Sequence, residues 1–294
     1  MVSGNVKFEL SITKDALFAG KPIRSYAKSV GELDLFLSVE YEKEKDKVVV
    51  QLIRRNDCIL YDGLFNICLC VGDPEGTSIT YTKATRESFY RNTYLKSFSN
   101  PDQYFNKKQE LNLTLTVSIE RLTIIDLKMP QKYTDNALLE FDDGYKIFVS
   151  KGILSQSSPY FESLFANSED VYKLHETNIK YFMIILHHVY GLLFDYGGLS
   201  SKTASREELL ELADRFQFDV VFKAFEDYLL NLSAEDSKKW LETADKYQMF
   251  RATKKILSGM TRAEIGNVRE ALKKKGERLS ADTMDVIIEK MTNL

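Results

Sequence analysis

In the stretch LNLTLTVSIERL, residues 111–122, Leu111, Leu113, Leu115, Val117 and Ile119 alternate with Asn, Thr and Ser. A period of two puts those apolar side chains on one face of a strand and the polar ones on the other. No helix satisfies it, so this segment demands a sheet with one dry face. The period recurs upstream. Leu33, Leu35, Leu37 and Val39 alternate in GELDLFLSVEY, the apolar VVVQLIRRN follows the charged EKEKDK, and Phe65, Ile67, Leu69 and Val71 alternate in LFNICLCVGDPEG. EKEKDK reads as a hairpin loop and Asp-Pro-Glu-Gly as a turn. Several strands separated by turn signals point to a β-sandwich over residues 1–126.

DLKMPQKYTDN, residues 126–136, is polar and carries Pro130, which places a domain boundary there. The period then changes. ALLEFDDGYKIFV is two short apolar runs around Asp142-Asp143-Gly144, a hairpin signal. Ser150 is positioned to cap one short helix. Ser158 followed by Pro159 starts another, with proline where its missing N–H costs nothing. NIKYFMIILHHVYG has helical spacing through Ile179, Phe182, Ile185, Leu186 and Val189, and Gly191 ends it. In SREELLELADRFQFDVVFKAFEDYLL, residues 205–208 read as a capping box, and a break is expected near Phe218 and Asp219. ELLELADRFQF, 208–218, returns 31 residues later as KWLETADKYQM, 239–249, which suits a repeated helix pair. Thr261 to Glu264 reads as one more capping box, and ADTMDVIIEKM as a final amphipathic helix. The fold class is therefore α+β.

Chemistry is thinly represented. Cys68 and Cys70 have a single residue between them, which is not zinc or redox spacing, so they are expected to be buried core thiols. An odd count of three cysteines, with Cys58, suits a reducing compartment, cytoplasmic or nuclear. His187 and His188 are adjacent on a helix and point about 100° apart, which does not build a shared metal site. Neither a Gly-rich phosphate loop nor a nucleophilic triad emerges, and no cofactor or metal is expected. A net charge of −3 offers no broad attraction for nucleic acid or acidic membrane. The basic run ALKKKGERL, 271–279, reads as a solvated helix face. The N-terminus lacks a signal-peptide core, and no apolar run is long enough to span a bilayer.

The stretch FVSKGILSQSSPYFESLF, 148–165, resembles the signature of the BTB (POZ) domain, in which a strand and His-Lys precede Ser-Pro-Tyr-Phe and a helix. Asp135, the NIKYFMIILHHVYG helix and ELLELADRFQF fit the same frame, over residues 134–232. Ser150-Lys151 stands where that family has His-Lys. YFNKKQELNLTLTVSIERL is similar to the last strand of a MATH (TRAF-like) sandwich. The family's tryptophans are missing there, since Trp240 is the chain's only one. The first domain is thus a divergent MATH or another sandwich. Residues 233–294 resemble the helical extension that follows BTB domains in such adaptors.

The resemblance implies a non-enzymatic adaptor. A homodimer would form through Asp135, Lys151, Tyr160 and Phe161. A cullin scaffold would be bound near Phe165, Asn167 and Glu169, although Asn167 stands where an apolar residue is wanted. A protein substrate would lie in a sandwich groove near Phe89, Tyr90 and Tyr94. The alternative is a self-associating scaffold or transcriptional co-regulator that binds no cullin. Tyr160, Phe161, Leu164 and Phe165 offer more apolar surface than one small core is expected to absorb. Either a partner chain covers part of it, or these side chains complete the monomer core.

Overall fold

The computed structural model describes residues 2–30, 33–54, 59–72, 77–87, 92–130, 132, 134–167, 169, 171–192, 194, 196, 203–276 and 278–292. The chain divides into two compact units. One comprises residues 1–150, 170–175 and 191–195, and the other residues 151–169, 176–190 and 196–294.

The first unit is built of strands. They are β1 (Val2–Thr13), β2 (Ile23–Arg24), β3 (Lys28–Val30), β4 (Leu33–Glu42), β5 (Lys47–Arg54), β6 (Ile59–Gly72), β7 (Ser78–Glu87), β8 (Asn92–Ser99) and β9 (Glu110–Asp126), with a short helix α1 (Lys14–Phe18) after β1. One antiparallel sheet runs β1-β9-β6-β7, and a second runs β2-β4-β5-β8 with β3 also on β4. Phe8, Phe65, Leu69, Leu115 and Val117 of the first sheet share one buried core with Leu35, Leu37, Val39, Val50 and Leu52 of the second. That shared core makes the pair of sheets a sandwich, as the alternation requires. On β9 the expected face, Leu111 to Ile119, is buried at every second residue. Each such side chain contributes roughly 1.5–3 kcal/mol of burial. Gly72 closes β6 with φ +106°, and a Cβ there would sit 2.3 Å from the Thr77 carbonyl oxygen, so the β6–β7 connection requires glycine. The Asp73-Pro-Glu-Gly turn itself lies outside the described residues.

This unit also holds a three-stranded sheet of β10 (Asn136–Phe141), β11 (Lys146–Ser150) and β12 (Val171–Leu174), in the order β11-β10-β12. β10 and β11 form the hairpin expected at Asp-Asp-Gly, with Gly144 left-handed at φ +79° and its N–H donating to the Phe141 carbonyl. β12 lies parallel to β10.

The second unit is helical: α2 (Lys151–Ser157), α3 (Pro159–Phe165), α4 (Ile179–Val189), α5 (Thr203–Arg215), α6 (Asp219–Asn231), α7 (Ala234–Lys238), α8 (Leu241–Lys246), α9 (Phe250–Ser258), α10 (Arg262–Lys275) and α11 (Ala281–Thr292). Gly191 follows α4 with φ +68°, the left-handed stop expected there. Helix α5 begins at Thr203, so Ser205 lies inside its first turn instead of capping it. Ala204, a strong helix former, favours the earlier start.

The 31-residue echo is a structural repeat. Gln217 and Gln248 both take the left-handed conformation, at φ +56° and +55°. The next residue in each copy donates its N–H to an alanine carbonyl five back, Phe218 to Ala213 and Met249 to Ala244, both at 2.8 Å. α5–α6 and α8–α9 are thus two versions of one helix pair. Lysines then close successive helix ends. Lys255 of α9 donates to the Leu230 and Leu232 carbonyls at the end of α6, and Lys290 of α11 donates to Leu257, Ser258 and Met260 at the end of α9. Each ammonium satisfies carbonyls that a helix terminus leaves without partners.

The capping box at Thr261 forms as expected. Glu264 N–H donates to Thr261 Oγ1, and the Glu264 carboxylate accepts from the Thr261 N–H. Lys238 donates to the same carboxylate at 2.7 Å, and chiefly for that reason the Glu264 pKa falls from 4.5 to about 2. A carboxyl whose folded pKa is depressed stabilises the fold above its ordinary pKa and loses that contribution as pH falls toward the folded value. Glu264→Gln should therefore remove part of the stability change between pH 4.5 and pH 2, read as a flatter acid limb in urea midpoints against pH. An unchanged limb would mean that Lys238 and Thr261 do not hold this charge in solution.

Candidate functional site

The Ser-Pro-Tyr-Phe segment builds a nest of rings inside the helical unit. Ser158 is fully buried and does two jobs. Its Oγ accepts the Phe161 N–H at 3.1 Å, capping α3, and donates to the Phe216 carbonyl at 2.6 Å, tying α3 to the end of α5. Pro159 occupies the first helical position, and this start directs Phe161 inward. Its ring lies 5.3 Å from Tyr160, 5.5 Å from Phe165, Phe216 and Phe218, and 5.9 Å from Phe182. Those separations fall in the favourable range for tilted and edge-on ring pairs. Ser158→Ala should cost about 2 kcal/mol, because it removes the cap and leaves the buried Phe216 carbonyl without its donor. A denaturant midpoint within error of wild type would refute that double role.

Phe161, expected at a dimer interface, is 0% exposed within its own chain. The core absorbs more of the apolar stretch than expected, because Phe216 and Phe218 converge on it from the end of α5. Tyr160, Leu164 and Phe165 are only half-buried.

The other candidates are scattered. Asp135 is exposed just before β10, and Lys151 is half-buried at the start of α2. Asn167 and Glu169 are exposed in the segment after α3, with the Glu169 N–H donating to the Asn167 carbonyl at 3.0 Å. Tyr94 lies in β8 opposite Gln51. Its side chain, and all of Phe89 and Tyr90, lie outside the described residues, so the expected groove does too.

Cys68 and Cys70 also depart from expectation. They are free and half-buried on the outer face of β6, alternating with buried Ile67, Leu69 and Val71. The period-two pattern already assigned them outward, because the aliphatic set takes the inner face. His187 is buried with Nδ1 2.8 Å from the Met183 carbonyl oxygen. His188 Nε2 lies 2.9 Å from the Tyr196 hydroxyl, and burial lowers its pKa to about 4, so its imidazole is neutral at physiological pH. His175 pairs with Asp142 at 2.8 Å on the surface. Among the described residues no group of three or more His, Cys, Asp or Glu could hold a metal ion, and no helix is long and apolar enough to cross a membrane.

A cavity of about 610 Å³ opens along α10 and α11, lined by Arg269, Lys273, Arg278, Leu272, Leu279 and Met284 among others. Glu270 also lines it, so the cavity combines three cations, one carboxylate and apolar side chains.

The model of the BTB/POZ domain family matches residues 125–233. This stretch is a BTB/POZ domain. It carries the β10–β11 hairpin, β12 and helices α2 to α6, which include the ring nest and the Ser158 cap. A BTB/POZ domain is a protein–protein interaction module. The match begins at residue 125 and says nothing of the sandwich before it. No curated protein matches the chain. Among solved structures, that of TmCBM61 in complex with beta-1,4-galactotriose covers 37% of this chain and 93% of its own, at 8% identity and a TM-score of 0.16. A score that low carries no argument about fold.

Proposed function

We propose that the chain is a dimeric adaptor that recruits protein substrates to a cullin-RING ubiquitin ligase and catalyses nothing itself. The observation that carries this reading is the BTB/POZ domain at 125–233, whose α3 leaves Tyr160, Leu164 and Phe165 half-buried beside exposed Asn167 and Glu169. A second copy would cover the half-buried apolar edge, a cullin would dock along the segment after α3, and the sandwich would hold the substrate. Pairing two copies doubles the substrate sites and adds avidity. The expected boundaries, sandwich over 1–126, BTB domain over 134–232 and helical extension over 233–294, belong to the same proposal.

One observation favours the second reading, a BTB scaffold or transcriptional co-regulator without a cullin. Asn167 is polar where a cullin contact wants an apolar side chain, and it stands exposed. Two measurements separate the readings. Light scattering should give the dimer mass, and Leu164→Glu should halve it while circular dichroism stays unchanged. A well-folded monomer at high concentration would overturn both. A purified cullin N-terminal region should be retained by the immobilised chain at micromolar concentration, and no retention would leave the scaffold.

A further inference from the structure

The outer face of the four-stranded sheet carries an unusual block. In register, Cys68 stands between Thr82 of β7 and Thr116 of β9, and Cys70 stands between Thr80 and Thr114. Two thiols therefore occupy the centre of a patch three strands wide whose flanks are four hydroxyls. Cys70 Sγ lies 3.8 Å from Thr80 Oγ1. A shallow depression of about 300 Å³ lies over Cys68, lined also by Asn66, Thr82, Lys83, Thr116 and Ser118. Burial first, and then the neighbouring Cys70, hold the Cys68 thiol above its usual pKa.

Strand geometry decides what such a pair can do. Residues two apart on a strand have Cα atoms ~6.7 Å apart, twice a rise of ~3.3 Å, with nearly parallel Cβ bonds. A disulfide needs Cβ atoms about 3.8 Å apart. Closing one would buckle β6, which is hydrogen-bonded on both sides. The pair is therefore unsuited to an internal disulfide. Bridging by one two-coordinate ion demands less. Metal–thiolate bonds of about 2.3 Å set the sulfurs ~4.6 Å apart, which two converging Cβ–Sγ arms can span without moving the backbone. With no third His, Cys, Asp or Glu to complete a cluster among the described residues, tetrahedral zinc and hard cations are poorly served. Two sulfurs among neutral hydroxyls suit a soft ion.

We propose that Cys68 and Cys70 form a two-coordinate site for monovalent copper on the outer face of this sheet. Binding displaces one proton from each thiol and forms two Cu–S bonds. The product is an S–Cu–S bridge of net charge −1, and no electron is transferred.

The test is anaerobic titration of the reduced full-length chain with Cu(I) against a colorimetric Cu(I) chelator. One ion per chain should be taken from the chelator. Cys68→Ser and Cys70→Ser should each weaken binding at least 100-fold, and Cys58→Ser should leave it unchanged. No competition with the chelator, or binding that survives both serine variants, overturns the proposal. Should either variant fail to fold, alkylation of wild type followed by mass spectrometry replaces it. Cu(I) should slow alkylation of Cys68 and Cys70 and leave Cys58 unaffected, and equal rates with and without Cu(I) overturn the site.

Discussion

Phe161→Ala should destabilise the helical unit by about 3–5 kcal/mol, the usual cost of deleting a fully buried aromatic side chain. The reason is its place at the centre of the nest. Five rings lie within 6 Å of its centroid, from α3 itself, from α4 and from the turn after α5. Removing the hub leaves a cavity that five separately anchored rings cannot all close. Phe161→Asp should go further and prevent folding, since it places an unpaired carboxylate among aromatic faces. Trp240, the only tryptophan, is 1% exposed with its ring 5.2 Å from Phe225, so its emission reports unfolding of this unit. A loss below 1 kcal/mol for Phe161→Ala would mean that the nest is not the core of the unit. The same burial disqualifies Phe161 as a probe of self-association, because loss of mass and loss of fold would arrive together. Leu164 does not fill the nest and keeps the two separable.

The legible parts of this chain were those fixed by local rules. Alternation named the inner face of β9 residue by residue, Asp-Gly named the β10–β11 hairpin, and Ser-Pro and the Thr261 box named two helix starts. The 31-residue echo was visible because a left-handed turn after a helix repeats its own requirements, an alanine carbonyl below and an apolar residue beyond. What local rules could not show was which long-range partner each apolar side chain finds. Phe161 looked like surplus surface because Phe216 and Phe218, more than fifty residues later, were not yet beside it. Cys68 and Cys70 depart from expectation for a different reason. Cysteine is usually buried, but on this strand the period of two outranks that general tendency. Glu226 shows the limit most plainly, because an acid on an apolar helix face has no meaning until the next helix arrives.

Glu226→Ala should cost about 2–4 kcal/mol, the sum of a lost helix cap and lost charge-assisted hydrogen bonds. The N-cap of α9 is Met249, whose side chain makes no capping hydrogen bond. Glu226, 9% exposed on α6, supplies the cap from outside. One carboxylate oxygen accepts the N–H of Arg251 at 2.7 Å and of Ala252 at 3.2 Å, and the other accepts Arg251 Nε at 2.9 Å. A negative charge at a helix N-terminus is also favoured by the macrodipole. The arrangement is reciprocal, since Lys255 of α9 closes the end of α6. Each helix of the pair completes the other's terminus, so loss of one link should loosen both. Two variants separate cap from ion pair. Arg251→Ala removes the guanidinium, which is 58% exposed and also bound to Asp227, and should cost under about 1 kcal/mol. Glu226→Gln keeps an acceptor for the two N–H groups and should fall between Glu226→Ala and wild type. If Arg251→Ala proved as damaging as Glu226→Ala in Trp240-monitored urea unfolding, the ion pair would be the stronger link. If the expected order holds, α9 is held chiefly by a cap borrowed from α6.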